Sequence, residues 1–193
     1  MNMFKISALS GLFAAAAAFS GVASANVIGV KSVVITQNAV AYSEAYLQVA
    51  EVVATQAGTG LDVALASNGA KAVGSSYYAN VNSSGYAIDG TLNADYPNIF
   101  HSAGGTSDSL TVTFAGSYDL SGFSVYGRSN CCTYRDVYDV RFYDAGGSLL
   151  YTQLGASANN AASLAVVDVP EPGSLALLAG GLLAAGVVRR RKG

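Results

Sequence analysis

Short runs of alternating apolar and polar residues fill the middle of the chain, separated by turns rich in Gly, Ser and Asn. The alternation is strict in residues 109–114 (SLTVTF), 120–126 (LSGFSVY) and 137–143 (VYDVRFY). A period of two sends successive side chains to opposite faces of a strand, so each run predicts a strand with one buried face.

Four more segments fit the same pattern. Residues 27–36 and 46–54 are rich in β-branched side chains, and residues 148–152 and 163–169 complete the set. Residues 144–147 (DAGG) predict a hairpin turn. Between the two chain ends, no segment keeps an apolar period of 3.6 residues over three turns. The pattern therefore predicts an all-β fold, an antiparallel β-sandwich or jelly roll over residues 46–168. Residues 26–45 are expected to be an N-terminal extension or an edge strand.

The N-terminus has the features of a signal peptide. Lys5 precedes an apolar, Ala-rich run over residues 6–19, and residues 21–25 (GVASA) end in a small-x-small pattern. This order predicts cleavage after Ala25. The alternative is a retained N-terminal anchor, but the run is shorter than the roughly 20 apolar residues that a spanning helix needs.

The C-terminus has three parts in sequence. Residues 169–174 (VPEPGS) contain two prolines, residues 175–188 are wholly apolar, and residues 189–192 (RRRK) are basic. Such a basic cluster is retained on the cytoplasmic side of a transmembrane helix. The order resembles the PEP-CTERM sorting signal, whose motif is matched by residues 169–172.

The resemblance implies a Gram-negative bacterium and recognition of residues 169–193 by an exosortase-type membrane protease. It also implies a transient anchor in the inner membrane, removal of the tail near the motif, and a final place at the cell surface or outside the cell. The family is associated with exopolysaccharide-linked proteins. The alternative is a plain C-terminal tail anchor with the same topology and no processing.

The net charge of the middle of the chain differs from that of the whole chain. The whole chain carries a net charge of −2, but residues 26–168 hold eleven acidic residues against five Lys and Arg, which gives −6. An acidic domain with so few basic residues argues against a nucleic-acid partner. All twelve tyrosines lie in this part, and Tyr offers a flat apolar face with a polar tip.

Three stretches resemble the galactose-binding-like jelly rolls of the discoidin and coagulation-factor type C kind. Residues 62–70 (DVALASNGA) are similar to the family's opening strand and loop, and residues 86–90 (YAIDG) to its Ala-x-Asp-Gly turn. The strand pair 110–114 and 120–126 is similar to its central strands.

A second resemblance is to the fucose-binding F-type lectins of the same superfamily. Their motif is a His, twenty-six residues, Arg-x-Asp, four residues, and Arg or Lys, and here His101, Arg128 and Arg135 stand at those distances. Asn130 replaces the Asp. The resemblance implies that the three matched residues donate hydrogen bonds to sugar oxygens, and a forked guanidinium suits vicinal hydroxyls.

The adjacent Cys131 and Cys132 lie within this motif. Their Cα atoms are about 3.8 Å apart across one peptide unit, so a disulfide between them closes a strained eight-membered ring. The resemblance implies that this pair stacks against the sugar, and Tyr96 is counted with it as a ligand-contacting residue. The alternative for the whole motif is structural, with the arginines paired to Asp136 or Asp139 beneath a loop.

The Asp-Gly turn predicts a structural calcium site, because in this superfamily it often wraps an ion through oxygen ligands. The expected ligands are Asp89, Thr91, Asn98 and the carbonyl of Tyr86, with Asn93 and Asp95 as further oxygens. The alternative is an Asx-turn in which Asp89 bonds its own backbone.

No nucleophile elbow, zinc-ligand cluster or phosphate-binding loop occurs in the sequence, so no enzymatic activity is expected. Two functional hypotheses remain. The first is a surface-sorted, lectin-like protein that contacts exopolysaccharide or envelope glycan. The second is a structural matrix protein of the cell surface or biofilm that has no specific glycan ligand.

Overall fold

A computed structural model describes residues 26–38, 46–92, 94–157 and 164–166. The predicted signal peptide (residues 1–25) and the sorting signal (residues 169–193, with its helix at 175–188) lie outside the described residues, as does Asn93. No helix in the described ranges is long and apolar enough to span a membrane.

The described residues form nine strands and four short 3-10 turns. The strands are β1 (Val27–Gln37), β2 (Gln48–Val49), β3 (Glu51–Gln56), β4 (Lys71–Gly74), β5 (Phe100–His101), β6 (Ser109–Tyr126), β7 (Val137–Tyr143), β8 (Leu149–Ser157) and β9 (Leu164–Val166). The 3-10 turns are Ala66–Asn68, Tyr78–Asn80, Ser84–Ile88 and Thr133–Arg135.

All strand pairs are antiparallel. The main sheet has the order β3-β6-β1-β7-β8, and β2 and β5 form a separate two-stranded ribbon. The long strand β6 pairs with β1 and β4 along its first part and with β3 and β9 along its last part. Alternate residues of β7 and of the first part of β6 are buried, whereas residues 115–119 in the middle of β6 are not. This architecture is mostly β and is consistent with the predicted β-sandwich.

The first strand is not at an edge, contrary to the expectation for residues 26–45. β1 lies between β6 and β7, with Val33 opposite both Val112 and Phe142. Val33 and Ile35 are fully buried. A strand rich in β-branched residues removes the most apolar surface from water when it is paired at both edges. This accounts for the central place of β1.

The two strands predicted at 109–114 and 120–126 are one continuous strand. Pairing with β1 shifts sharply in its middle, since Val30 lies opposite Tyr118 whereas Ser32 lies opposite Thr113. The extra β6 residues bulge there, and Lys31 Nζ donates to the carbonyl oxygens of residues 114 and 115 at 2.7 and 2.9 Å. The lysine thus satisfies backbone acceptors that a regular ladder would pair.

The strand predicted at 46–54 is divided at Ala50. Its first part, β2, pairs with β5, whereas β3 pairs with the end of β6. The stretch 62–70, which resembles a strand and loop, contains a single bridge from Asp62 to Thr55 and a 3-10 turn. The hairpin turn at 144–147 is present, with Gly147 N donating to the Asp144 carbonyl at 3.1 Å.

Candidate functional site

A pocket of about 370 Å³ lies between the β2–β5 ribbon and the loop that joins β6 to β7. Nine residues line it: Tyr46, Gln48, Tyr78, Tyr96, His101, Arg128, Cys131, Cys132 and Arg135. All six residues predicted to contact a ligand are among them. The fold therefore brings these six side chains, which the sequence separates by up to 39 positions (Tyr96 to Arg135), to one pocket.

His101 forms the buried side of the pocket, with 7% of its surface exposed. Its Nδ1 lies 2.8 Å from the Ser102 carbonyl oxygen, and its Nε2 lies 2.7 Å from the Gln48 side-chain nitrogen. Because a carbonyl can only accept, we assign the proton to Nδ1, which leaves Nε2 to accept from the Gln48 amide.

Burial lowers the pKa of His101, and the charges of Arg128 and Arg135 lower it further, against the opposing effect of the Ser102 carbonyl. The ring is therefore neutral at neutral pH. Its Nε2 is then an acceptor toward a ligand, whereas the resemblance implied a donor.

Three tyrosines surround this imidazole. The ring centroids of Tyr46, Tyr78 and Tyr96 lie 5.4, 4.6 and 5.9 Å from that of His101. Tyr78 also contacts both other tyrosines edge to face, at 6.4 and 6.2 Å. Such pairs fix one another's orientation. Tyr78 and Tyr96 keep 45% and 44% of their surfaces exposed, so their rings are accessible to a ligand.

Arg128 is held by a neutral partner. Its Nε donates to Asn130 Oδ1 at 2.6 Å, and its guanidinium carbon lies 5.3 Å from the centroid of the Tyr96 ring. Asn130, which stands where the motif has Asp, thus orients Arg128. The remaining guanidinium nitrogens keep the fork that can reach two ligand oxygens.

Arg135 lies on the opposite side of the loop, at the end of the 3-10 turn Thr133–Arg135. Its guanidinium carbon is 5.4 Å from the ring centroids of both Tyr46 and Tyr134. These cation–π contacts orient the cation against an aromatic surface of the pocket.

Cys131 and Cys132 are joined by a disulfide, with Cα atoms 3.7 Å apart. Cys132 has a left-handed backbone (φ 61°) and directly precedes the 3-10 turn that carries Arg135, whose backbone N–H donates to the Cys132 carbonyl at 2.8 Å. The disulfide therefore forms part of the pocket wall and part of the turn that presents Arg135.

The loop that joins β6 to β7 is anchored to the interior by Asp136, which is 1% exposed. The Tyr138 hydroxyl lies 3.0 Å from the Asp136 carboxylate and 2.8 Å from the backbone carbonyl of Gln48. A Cβ at residue 127 would collide with that carboxylate, so only Gly127 fits there. These contacts join the loop to the β2 strand that carries Gln48. Asp139, the other acid considered for the arginines, instead accepts from Asn38 and from the backbone of residue 155.

The predicted calcium ligands are only partly brought together. Asp89 Oδ1 accepts from the Thr91 backbone N–H at 2.7 Å, which is the geometry of an Asx-turn. Tyr86 and Asp89 line one shallow pocket. Asn98 N donates to the Asp95 carbonyl within a separate turn. Within the described ranges, no three Asp, Glu, His or Cys side chains are grouped as metal ligands.

Glu51 was not predicted from the sequence, although it lies beside the Asp-Gly turn. It is 1% exposed, its Oε2 accepts from Gly90 N at 3.2 Å, and its Oε1 has no hydrogen-bond partner. Burial and then the charge of Asp89 raise its pKa to about 8, against the effect of the Gly90 N–H. A single acid within a β-branched run gives no signal that it faces a turn 38 residues away.

Tyr46, Gln48 and Tyr78 were also missed. Gln48 is 2% exposed and lies directly opposite His101 across the β2–β5 ribbon. Its role follows from that register, which two strands of two residues each do not reveal in the sequence. The abundance of tyrosine in the domain was a signal for aromatic contacts, but it did not identify the residues.

Comparison with known protein families gives a match at the C-terminus. A model of the PEP-CTERM protein-sorting motif matches residues 168–192. Comparison with curated proteins and with solved structures returns no match. The match confirms the sorting signal predicted from residues 169–193. The chain thus ends in a PEP-CTERM sorting motif, which indicates an exported protein that an exosortase sorts to the cell surface.

Proposed function

We propose that the domain between the two targeting segments is a galactose-binding-like jelly roll that binds carbohydrate at the pocket around His101. The observation that carries the proposal is the convergence of Arg128, Arg135 and the Cys131–Cys132 disulfide on one open pocket with His101. The expected ligand is a glycan of the exopolysaccharide or envelope, which is the abundant neighbour of a surface-sorted protein.

The chemistry of the pocket suits a sugar. Guanidinium groups donate to hydroxyl oxygens in a fixed fork, and the neutral His101 Nε2 accepts from a hydroxyl in place of the Gln48 amide. The exposed faces of Tyr78 and Tyr96 and the disulfide offer apolar surface to the C–H groups of a sugar ring. Donors, one acceptor and flat apolar walls are the complement of a polyhydroxylated ring.

The proposal is binding without catalysis. Glycoside hydrolysis generally needs two carboxyl groups flanking the scissile bond, and the nine lining residues that belong to the described part of the chain include no Asp or Glu.

The first test is a glycan array probed with the exported, processed protein and with an Arg128→Ala variant. We expect specific binding by the wild-type protein and a loss of about tenfold or more in the variant, because a charged hydrogen-bond donor is removed. Arg141→Ala is the matched control, since Arg141 lies on β7 and bonds Thr36 instead of lining the pocket. Absence of binding to any glycan, or equal binding by Arg128→Ala, would favour the structural matrix hypothesis.

We also propose that the Asp-Gly turn binds calcium, with Glu51 as an acidic ligand in addition to Asp89. The support is the buried Glu51 Oε1 without a hydrogen-bond partner beside a second carboxylate, because calcium prefers oxygen ligands that include carboxylates. Calcium should raise the melting temperature of the wild-type protein above its value in chelator, and should not do so in Glu51→Gln. An unchanged wild-type melting temperature would eliminate the site.

A further inference from the structure

Two further depressions adjoin the His101 pocket. The second, of about 270 Å³, shares Tyr78, Tyr96 and His101 with it. The third, of about 290 Å³, shares Ser83 and Tyr86 with the second. Because each neighbouring pair has lining residues in common, the three depressions are adjacent, and we refer to them together as the groove, which extends from the arginines past Tyr78 and Tyr96 to Tyr86.

The second depression is a largely apolar stretch of this groove. Val81, Tyr86 and Tyr96 line it and have 63%, 41% and 44% of their surfaces exposed. Its polar lining consists of the Ser83 side chain, the tyrosine hydroxyls and the neutral His101. Exposed aromatic rings beside a few hydroxyls match the C–H faces and equatorial hydroxyls of a sugar, and offer little to a charged or small polar ligand.

The third depression is polar. It is lined by Asn82, Ser83, Gly85, Tyr86 and Asp89. The second carboxylate oxygen of Asp89 can accept from ligand hydroxyls, since only its Oδ1 accepts the Thr91 N–H. Asn82 Oδ1 already accepts from the Ser84 backbone N–H and hydroxyl, so Asn82 offers its amide nitrogen as a donor. The groove is therefore cationic at its first pocket, apolar in the second and polar in the third.

The segment between the first two depressions is held in an unusual conformation. Ala79 and Asn80 both have left-handed backbones, with φ of 52° and 57°. Such angles cost about 1 kcal/mol or more for a residue with a Cβ, and they persist mainly at binding and active sites. Here they separate Tyr78, which lines both the first and the second depression, from Val81, which lines the second.

We propose that the ligand is a glycan chain, with one sugar unit in the His101 pocket and successive units in the second and third depressions. The proposal rests on the proposed carbohydrate-binding function and names its substrate class as an oligosaccharide or polysaccharide instead of a single sugar. The first pocket is near the lower limit of about 300 Å³ for drug-sized ligand sites, so it accommodates one unit while the groove accommodates more.

The test is titration calorimetry of the exported, processed protein with fragments of its host's exopolysaccharide, separated by length from one to four sugar units. Affinity should rise by about tenfold from one unit to three, as expected for burying additional ring faces. It should then stay constant at four units, because the groove has ended.

Variants separate the groove from the first pocket. Tyr86→Ala should bring the affinity for three units close to that for one, while the affinity for a single unit stays unchanged. Tyr86→Phe keeps the ring and should keep the length dependence. Tyr143→Ala, a tyrosine on β7 that lines none of the three depressions, is the matched control. Melting temperatures of all variants establish that each is folded.

Different experimental results would disprove the chain-binding proposal and the carbohydrate-binding function. Equal affinity for one, two and three units, or a length dependence that Tyr86→Ala leaves intact, would overturn the chain-binding proposal and leave carbohydrate binding in place. Failure of every fragment and of every arrayed glycan to bind would remove both.

Discussion

Asn130 determines the charge of the pocket wall. Arg128 is oriented by the amide oxygen of Asn130, so the orienting contact adds no negative charge. Among the described residues, the pocket lining contains two arginines and no carboxylate side chain. An anionic sugar unit, such as a uronate, is therefore better matched to this pocket than it would be to one in which Asp stands at position 130.

Asn130→Asp should change the preference between acidic and neutral glycans. A carboxylate near the bound unit repels an anionic sugar by about 1 kcal/mol at 4 Å in water, which corresponds to about a fivefold change in affinity. The ratio of acidic to neutral affinity, measured by calorimetry, should fall by that factor. Asn130→Ala removes the orienting oxygen without adding charge, so it should weaken both classes equally. An unchanged ratio in Asn130→Asp contradicts the electrostatic argument.

At the scale of elements, residue patterns predicted most of the strands. β7 spans the predicted residues 137–143, and β1 extends the predicted 27–36 by one residue. Both carry a clear periodic or β-branched signal. β4 and β5 were not predicted, because segments of four and two residues are too short to show a period.

Strand order was less predictable than strand position. The pattern of β1 indicates burial but does not reveal whether one or both edges are paired, and the structure places it between β6 and β7. The residues 115–119, read as a turn, instead continue β6 because Lys31 on β1 satisfies the bulged carbonyls. That contact joins positions more than 80 apart and has no local signature.

The site was predictable where its residues share one motif. The spacing of His101, Arg128 and Arg135 identified three residues that the fold brings to one pocket. Tyr78 and Gln48 reach the same pocket through a strained turn and through the β2–β5 register. Both are properties of the backbone path, so the sequence pattern did not reveal them.

At the scale of the whole molecule, the negative charge lies in the domain and the positive charge lies beside the sorting motif. The domain at residues 26–168 carries −6, whereas the basic cluster that brings the whole chain to −2 lies at the C-terminus beside the sorting motif. Removal of that tail by an exosortase would leave an acidic protein. Against this acidic background, Arg128 and Arg135 are a local concentration of positive charge at the His101 pocket.

Glu51 connects the pH of the medium to the stability of the whole fold. Its pKa is raised from 4.5 to about 8, by burial first and by the charge of Asp89 second. Between these two values the folded protein keeps a proton that the unfolded chain has lost. Folding therefore takes up a proton in this window, and the free energy of unfolding should fall as the pH rises through it.

The measurement is chemical denaturation between pH 5 and pH 9 in the presence of chelator. This one group contributes a slope of at most about 1.4 kcal/mol per pH unit. Glu51→Gln keeps the shape without the titrating proton, so it should flatten the slope and make the protein more stable than wild type at pH 8. Asp144→Asn is the control, because hydrogen bonds from Ser148 lower the pKa of that exposed carboxylate and keep it ionised throughout the window. A wild-type slope retained in Glu51→Gln would show that burial beside Asp89 does not hold the proton.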